Sequence, residues 1–208
     1  LGCRGFAAGT QRPIEMTTWH WIRHGPTHEK TFVGWRDVPA DLSDTARINR
    51  LRSHLPKRAL LVSSDLIRAS DTAEALRSED HIHMGQLADL REIHFGLWDG
   101  MHFSDVAERD PDLSRAYWET PGDVMAPEGE SWNMTAARVN RVVDHMNVQH
   151  PTADIIAVAH FGVILTQVQR ALGISAYDAF GHRIDNLSAT VLTHQGGTWA
   201  VDKITHTL

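Results

Sequence analysis

Three short apolar runs, each separated from the next by helix-like sequence, constrain this chain more than any other feature. They are TWHWIR (18–23), ALLVSS (59–64) and DIIAVAH (154–160). Each is short, apolar and bounded by polar residues, as a buried strand is. The segments between them carry apolar residues at helical spacing. Ser43 is placed to cap a helix bearing Ile48, Leu51 and Leu55, and residues 68–77 carry Ala69, Ala73 and Leu76. Residues 135–146 carry Ala136, Val139, Val143 and Met146, and residues 161–172 form a last helix that Gly173 stops. A further short strand is expected at 81–84. One or two short helices are expected at 101–120, broken at Pro111 and stopped at Pro121. LSATVLTH and TWAVDKI read as a terminal strand pair around a QGG turn. Strands alternating with helices give the expected fold class: an α/β three-layer sandwich, with a mostly parallel central sheet and helices on both faces.

A length of 208 residues suits one domain, expected to run over 16–208 with a short lid or insertion at about 99–131. Residues 1–15 lack the long apolar centre of a secretory leader and are read as a loose extension. The formal net charge of −6 gives no support to a nucleic-acid binder or a membrane-surface protein, since both favour net positive charge. No apolar run approaches the ~20 residues of a membrane helix. Cys3 is the only cysteine, so no intramolecular disulfide staples the chain. The expected location is the cytoplasm. The oligomeric state is left open, a homodimer included.

Open α/β sheets bind ligands beyond the carboxyl ends of their strands. Those ends carry an unusual set of side chains here. Arg23 and His24 follow the first strand, Arg68 lies in the helix after the second, and His160 stands directly before a helix N-terminus. Glu92 lies in the segment ADLREIHFGLWDG, with Asp89 as a nearby competitor. Arginine presents a planar fork of donors that matches phosphate oxygens. A helix N-terminus adds unpaired N–H groups that favour an anion. A neutral imidazole is a competent nucleophile towards phosphorus, and a carboxyl group can protonate a leaving alkoxide. Such a set describes phosphoryl transfer without a metal or other cofactor.

Five segments run in an order that resembles the histidine phosphatase superfamily, whose fold is called phosphoglycerate mutase-like. They are IRHGPT (22–27), SSDLIRASDTA (63–73), LREIHFGLWDG (90–100), PEGES (127–131) and VAHFGVI (158–164). The resemblance covers nearly all of the chain after Met16. It implies that His24 takes the phosphoryl group and that Arg23, Arg68 and His160 hold its oxygens. It implies that Glu92 is general acid, then general base for the water that attacks phosphohistidine. Gly25 and Thr27 would lie in the turn where backbone approaches the anion. Lys30, where the family often has Asn, is either a further cationic contact or simply solvated. Phe161 stands where the family has the second residue of HGG, and is expected near the phosphate.

The implied substrate is a small phosphorylated metabolite and the implied activity a metal-independent phosphomonoesterase. The segment 34–44 also resembles mutases, sugar phosphatases and α-ribazole phosphate phosphatases. The lid looks short for a mutase, and with Gly122 and Gly129 it suggests an open, wet site. A mutase and a low-turnover module that binds phosphorylated ligands are the alternatives. His81 and His83 share a strand face but are expected at a solvated edge rather than on a metal. His94 and His102 are candidates for lining the pocket. Trp19, Trp21 and Trp199 are expected to pack, and Trp98 to serve both core and rim.

Overall fold

A computed structural model describes residues 15–207. Residues 1–14, and with them Cys3 and nearly all of the expected extension, lie outside the described residues. Six strands in the described residues form one sheet, in the order β3-β2-β4-β1-β5-β6. They are β1 (Met16–Arg23), β2 (Ala59–Ser63), β3 (His81–Gln86), β4 (Asp154–Ala159), β5 (Ala189–Gln195) and β6 (Thr198–His206). The β1–β4, β4–β2 and β2–β3 pairs are parallel; β5 and β6 add an antiparallel edge.

The parallel part follows from the helices between the strands. α1 (Thr45–His54) and α2 (Ile67–Leu76) cover one face; α5 (Trp132–Gln149) and α6 (Phe161–Leu172) cover the other. Side chains alternate across the sheet, so each central strand feeds two cores. Trp19, Trp21, Ile155 and Ala157 join Val139, Val143, Ile164 and Val168 on the α5–α6 side. Ile22, Ile156 and Val158 join Ile48, Leu51, Ala69 and Leu76 on the α1–α2 side. Every residue of β4 after Asp154 is buried, as its unbroken apolar run requires.

The expected strands and long helices all form, with local differences that have local causes. The cap of α1 is Asp44 rather than Ser43: the Asp44 carboxylate accepts from Arg47 N. α5 starts three residues before the expected 135, because the Ser131 hydroxyl accepts from Met134 N and caps it. The break expected at Pro111 forms, with the proline opening the second of two helices. α3 (Phe103–Arg109) stops at Asp110, and Pro111 is the first residue of α4 (Pro111–Glu119). β3 runs to Gln86 through a bulge at Leu61/Val62 in its pairing with β2. Short 3-10 turns at Ala88–Leu90 and Gly96–Trp98, and the one-turn α7 (Ala176–Ala179), have no periodic signal. The QGG turn forms as expected, with Gly196 and Gly197 both at positive φ.

Trp19 and Trp21 stack in the core with centroids 5.1 Å apart. Trp98 is entirely core, its indole N–H donated to Asp110. His81 departs from the solvated-edge expectation. It is buried, bonded to the Pro56 carbonyl through Nε2 and accepting Ser78 N at Nδ1, while His83 is exposed. Among the described residues, no group of three or more His, Cys, Asp or Glu is disposed to hold a metal ion. No helix there is long and apolar enough to cross a membrane.

Candidate active site

The register of the two central strands builds the site. Arg23 of β1 pairs with Ala159 of β4, so the next residues, His24 and His160, emerge side by side. Their rings lie 5.1 Å apart at 59°. β1 and β4 connect onward in opposite directions, towards α1 and α6 on opposite faces of the sheet. Such a point leaves a crevice at the strand ends.

His24 is 6% exposed and held at both ends. Its carbonyl accepts Asn186 Nδ2 at 2.8 Å. Its Nδ1 lies 2.6 Å from the Gly25 carbonyl oxygen. A carbonyl only accepts, so Nδ1 carries the proton and Nε2 keeps the lone pair. Burial, with Arg68 and Arg23 nearby, pushes the imidazole pKa down to about 3, against the pull of the Gly25 carbonyl. The ring is therefore neutral at pH 7.

Arg68 is buried at the start of α2. One terminal nitrogen donates to Gly34 O at 2.6 Å and the other to Arg36 O at 2.9 Å. The loop that supplies these carbonyls is held by Asp99, whose carboxylate accepts Gly34 N at 3.1 Å and Arg36 N at 3.0 Å. Arg23 donates to Ile184 O at 2.7 Å and lies 5.4 Å from the centre of the Phe161 ring. Burial lowers both guanidinium pKa values, and Glu92 opposes this in each case.

Glu92 is buried opposite these cations. Its carboxylate accepts Gly162 N at 3.1 and 3.2 Å and Ile93 N at 3.0 Å. Gly162 is the second residue of α6, so a helix N-terminus holds the carboxylate. The Glu92 carbonyl accepts Trp35 Nε1 and Arg138, both at 2.8 Å.

His160 caps α6 and is fully buried. Neither of its ring nitrogens has a hydrogen-bond partner among the described residues. Burial pushes its pKa well below the usual histidine value, and Arg68, His24, Arg138 and Arg23 push the same way. A buried imidazole without partners is costly unless a ligand satisfies it.

A cavity of about 310 Å³ opens over this group, lined by Arg23, His24, Thr27, Arg68, Glu92 and Phe161 among others. The sequence-predicted residues thus converge, with exceptions. His160 is fully buried and is not among the lining residues, although its ring packs against that of His24. Lys30 is exposed and is not part of the lining. Gly25 is buried away from the cavity. A Cβ there would stand 2.7 Å from Leu42 Cδ2, and its N–H bonds Thr72 Oγ1 at 3.0 Å. Its missing side chain makes room for the loop at Asp41 and Leu42. Asp89 is set apart from the cavity lining. His94 packs edge-on against Trp35 rather than lining the cavity, and His102 is exposed. Gly129 serves close packing: a Cβ there would lie 2.3 Å from the His94 carbonyl, so it packs the 94–96 turn against Ala126.

The profile of the histidine phosphatase superfamily (branch 1) matches residues 20–207. The chain belongs to the histidine phosphatase superfamily. A bifunctional protein of Mycobacterium tuberculosis is 32% identical over 159 residues, which are 76% of this chain and 42% of that protein. The chain therefore spans about two fifths of the length of that relative. The adenosylcobalamin/alpha-ribazole phosphatase of Escherichia coli is 24% identical over 169 residues, 79% of this chain and 83% of that one. Among solved structures, Bacillus stearothermophilus YhfR superposes with a TM-score of 0.83 at 26% identity, covering 92% of this chain and 98% of its own. These likenesses extend the superfamily's fold over the strand ends that carry His24 and His160.

Sequence reasoning missed the groups that hold the superfamily residues in place. Arg138 donates to the carbonyls of Asp89, Arg91 and Glu92 and pairs with Glu130 at 2.8 Å. Glu130 lies in the quoted PEGES segment, but nothing local marks Arg138. It sits beside the apolar stripe of α5, where an arginine reads as solvated. Asp99 lies in the quoted segment LREIHFGLWDG, but nothing in the sequence assigns it this role.

Proposed function

We propose that the protein is a metal-independent phosphomonoesterase that forms a phosphohistidine at His24. The observation that carries this reading is the Nδ1–H bond from His24 to the Gly25 carbonyl. It leaves a neutral imidazole with its Nε2 lone pair at the floor of an arginine-lined cavity. Nε2 attacks phosphorus while the P–O bond to the alcohol breaks. A proton carried by the Glu92 carboxyl goes to the departing alkoxide. Glu92 then takes a proton from water, the water oxygen attacks the phosphohistidine, and the P–N bond breaks to release phosphate. Arg23, Arg68 and His160 hold the phosphoryl oxygens through both steps. The positive charge of the two arginines and the donors of all three residues are in place before the reaction, which is the main catalytic device in phosphoryl transfer. The N–H of the neutral His160 ring, orphaned in the empty site, gains an acceptor when the anion binds.

The phosphatase name of the Escherichia coli relative supports hydrolysis over transfer, and α-ribazole phosphate belongs in any substrate panel. The test is phosphate release from p-nitrophenyl phosphate in excess EDTA, comparing the natural chain with His24→Ala. Metal-insensitive release that disappears in the variant is the expected result. Substantial turnover by His24→Ala would sink the histidine mechanism.

A further inference from the structure

The outer wall of the cavity is made of rings that the phosphoryl chemistry does not use. Phe32 forms its centre, 4.9 Å from Phe95, 4.4 Å from Phe103 and 6.0 Å from Trp118, to which it is nearly parallel. Phe161 faces the same cavity from the α6 side. Phe103 and Trp118 come from α3 and α4, so the segment over the site supplies apolar walls. Phe103 remains 58% exposed, which is a cost that a ring-bearing ligand would relieve.

The charges in the cavity are divided unevenly. Among the described residues, its only lining cations are Arg23 and Arg68, both at the His24 end. Arg36 stands outside it, paired with Glu29 at 3.1 Å and with Asp99 at 3.4 Å. The charged group beside the rings is Glu29, whose carboxyl is held below its usual range by bonds from Arg36 and Thr31. A leaving group with its own carboxylate or second phosphate would meet aromatic faces and an anion.

We propose that this site takes phosphate monoesters whose alcohol portion carries a flat apolar ring and no second anionic group. The proposal rests on the phosphomonoesterase reading and narrows it to a substrate class. Rings offset-stacked or edge-on against Phe32, Phe103 and Trp118 gain contact beyond simple burial. Phosphorylated sugar acids gain none of this.

The test compares benzyl phosphate, glycerol 3-phosphate and 3-phosphoglycerate, all esters of primary alcohols, so leaving-group chemistry does not dominate. The expected kcat/KM for benzyl phosphate exceeds that of either other ester by about tenfold or more, the scale on which an apolar pocket discriminates. The paired substitution Phe103→Ala with Trp118→Ala should shrink that ratio severalfold, mainly through KM. Equal rates, a preference for 3-phosphoglycerate, or a ratio untouched by the double variant would overturn the class while leaving the hydrolase reading intact. Should no ester release phosphate, the hydrolase reading fails and the class is read from binding. Calorimetry with benzylphosphonate and 2-carboxyethylphosphonate then decides: tighter binding of the benzyl compound keeps it, and equal or weaker binding overturns it.

Discussion

Gly162 lies so close to Glu92 that a Cβ on it would stand 2.6 Å from the carboxylate Oε1. The same atom would be 2.7 Å from Ile93 Cδ1. The glycine is not there for its backbone freedom, since an early helical position ordinarily favours alanine over glycine by about 1 kcal/mol. It is there for space. Gly162→Ala should push the carboxylate off the α6 N-terminus and lower kcat about tenfold or more, since small displacements of a proton donor cost heavily. Steady-state kinetics on an alkyl phosphate checks it; a kcat equal to that of the natural chain would show that the carboxylate position does not matter.

Arg138 and Glu130 predict a stability effect. Their side chains are 7% and 14% exposed, and Arg138 also satisfies three backbone carbonyls around Glu92. Removing one partner of a buried, hydrogen-bonded pair costs about 3–5 kcal/mol, because the other charge is left unpaired. Arg138→Met should lower the unfolding free energy measured in urea by that amount and release the Glu92 loop. A loss under about 1 kcal/mol would mean that water replaces the arginine.

Asp99 predicts a split in kinetic effects. It binds the loop whose Gly34 and Arg36 carbonyls hold Arg68, yet it does not line the cavity. Asp99→Asn keeps one acceptor oxygen and loses the charge. The expected outcome is a kcat/KM lowered about tenfold, most of it in KM, with phosphate binding weakened alongside. Unchanged phosphate affinity would detach the loop from the placement of Arg68.

These three cases mark what was legible in the sequence. His24, Arg68 and His160 sit at strand ends or helix starts, where periodicity breaks and a polar residue stands out, whereas Glu92 lies in a loop between two 3-10 turns and was legible through the segment LREIHFGLWDG. The register that brings His24 beside His160 follows from strand order, which the alternation of elements anticipates. The supports do not stand out. Arg138 lies mid-helix, and its partners are backbone carbonyls 46–49 residues away. The aromatic wall was equally silent. Phe32 precedes the loop that holds Arg68, while Phe103 and Trp118 belong to two separate helices. Glycine spacing suggested an open lid, whereas Gly129 serves close packing and α3 and α4 turn rings into the cavity.

The two buried imidazoles predict how stability depends on pH. His24 and His160 are neutral in the folded chain, with pKa values pushed below the ordinary 6.5. Unfolding exposes them, so below pH 6.5 the unfolded chain binds protons that the folded chain does not. Stability then falls as pH falls, by about 1.4 kcal/mol per pH unit for each such residue. From pH 6.5 to 5 the His24 ring alone costs roughly 1.7 kcal/mol, and His160 adds to the loss in the same direction. His194, also lowered but more exposed, adds less. The carboxyls held below their usual range, Glu130 and Asp65 among them, lose their contribution only near and below pH 4.5, outside this window. Urea unfolding at pH 7.5, 6.5 and 5 should show a steep loss between the last two. His24→Ala should make that loss shallower while retaining the fold. A free energy that stays level from pH 7.5 to 5 would mean that these rings are protonated or solvated in the folded chain.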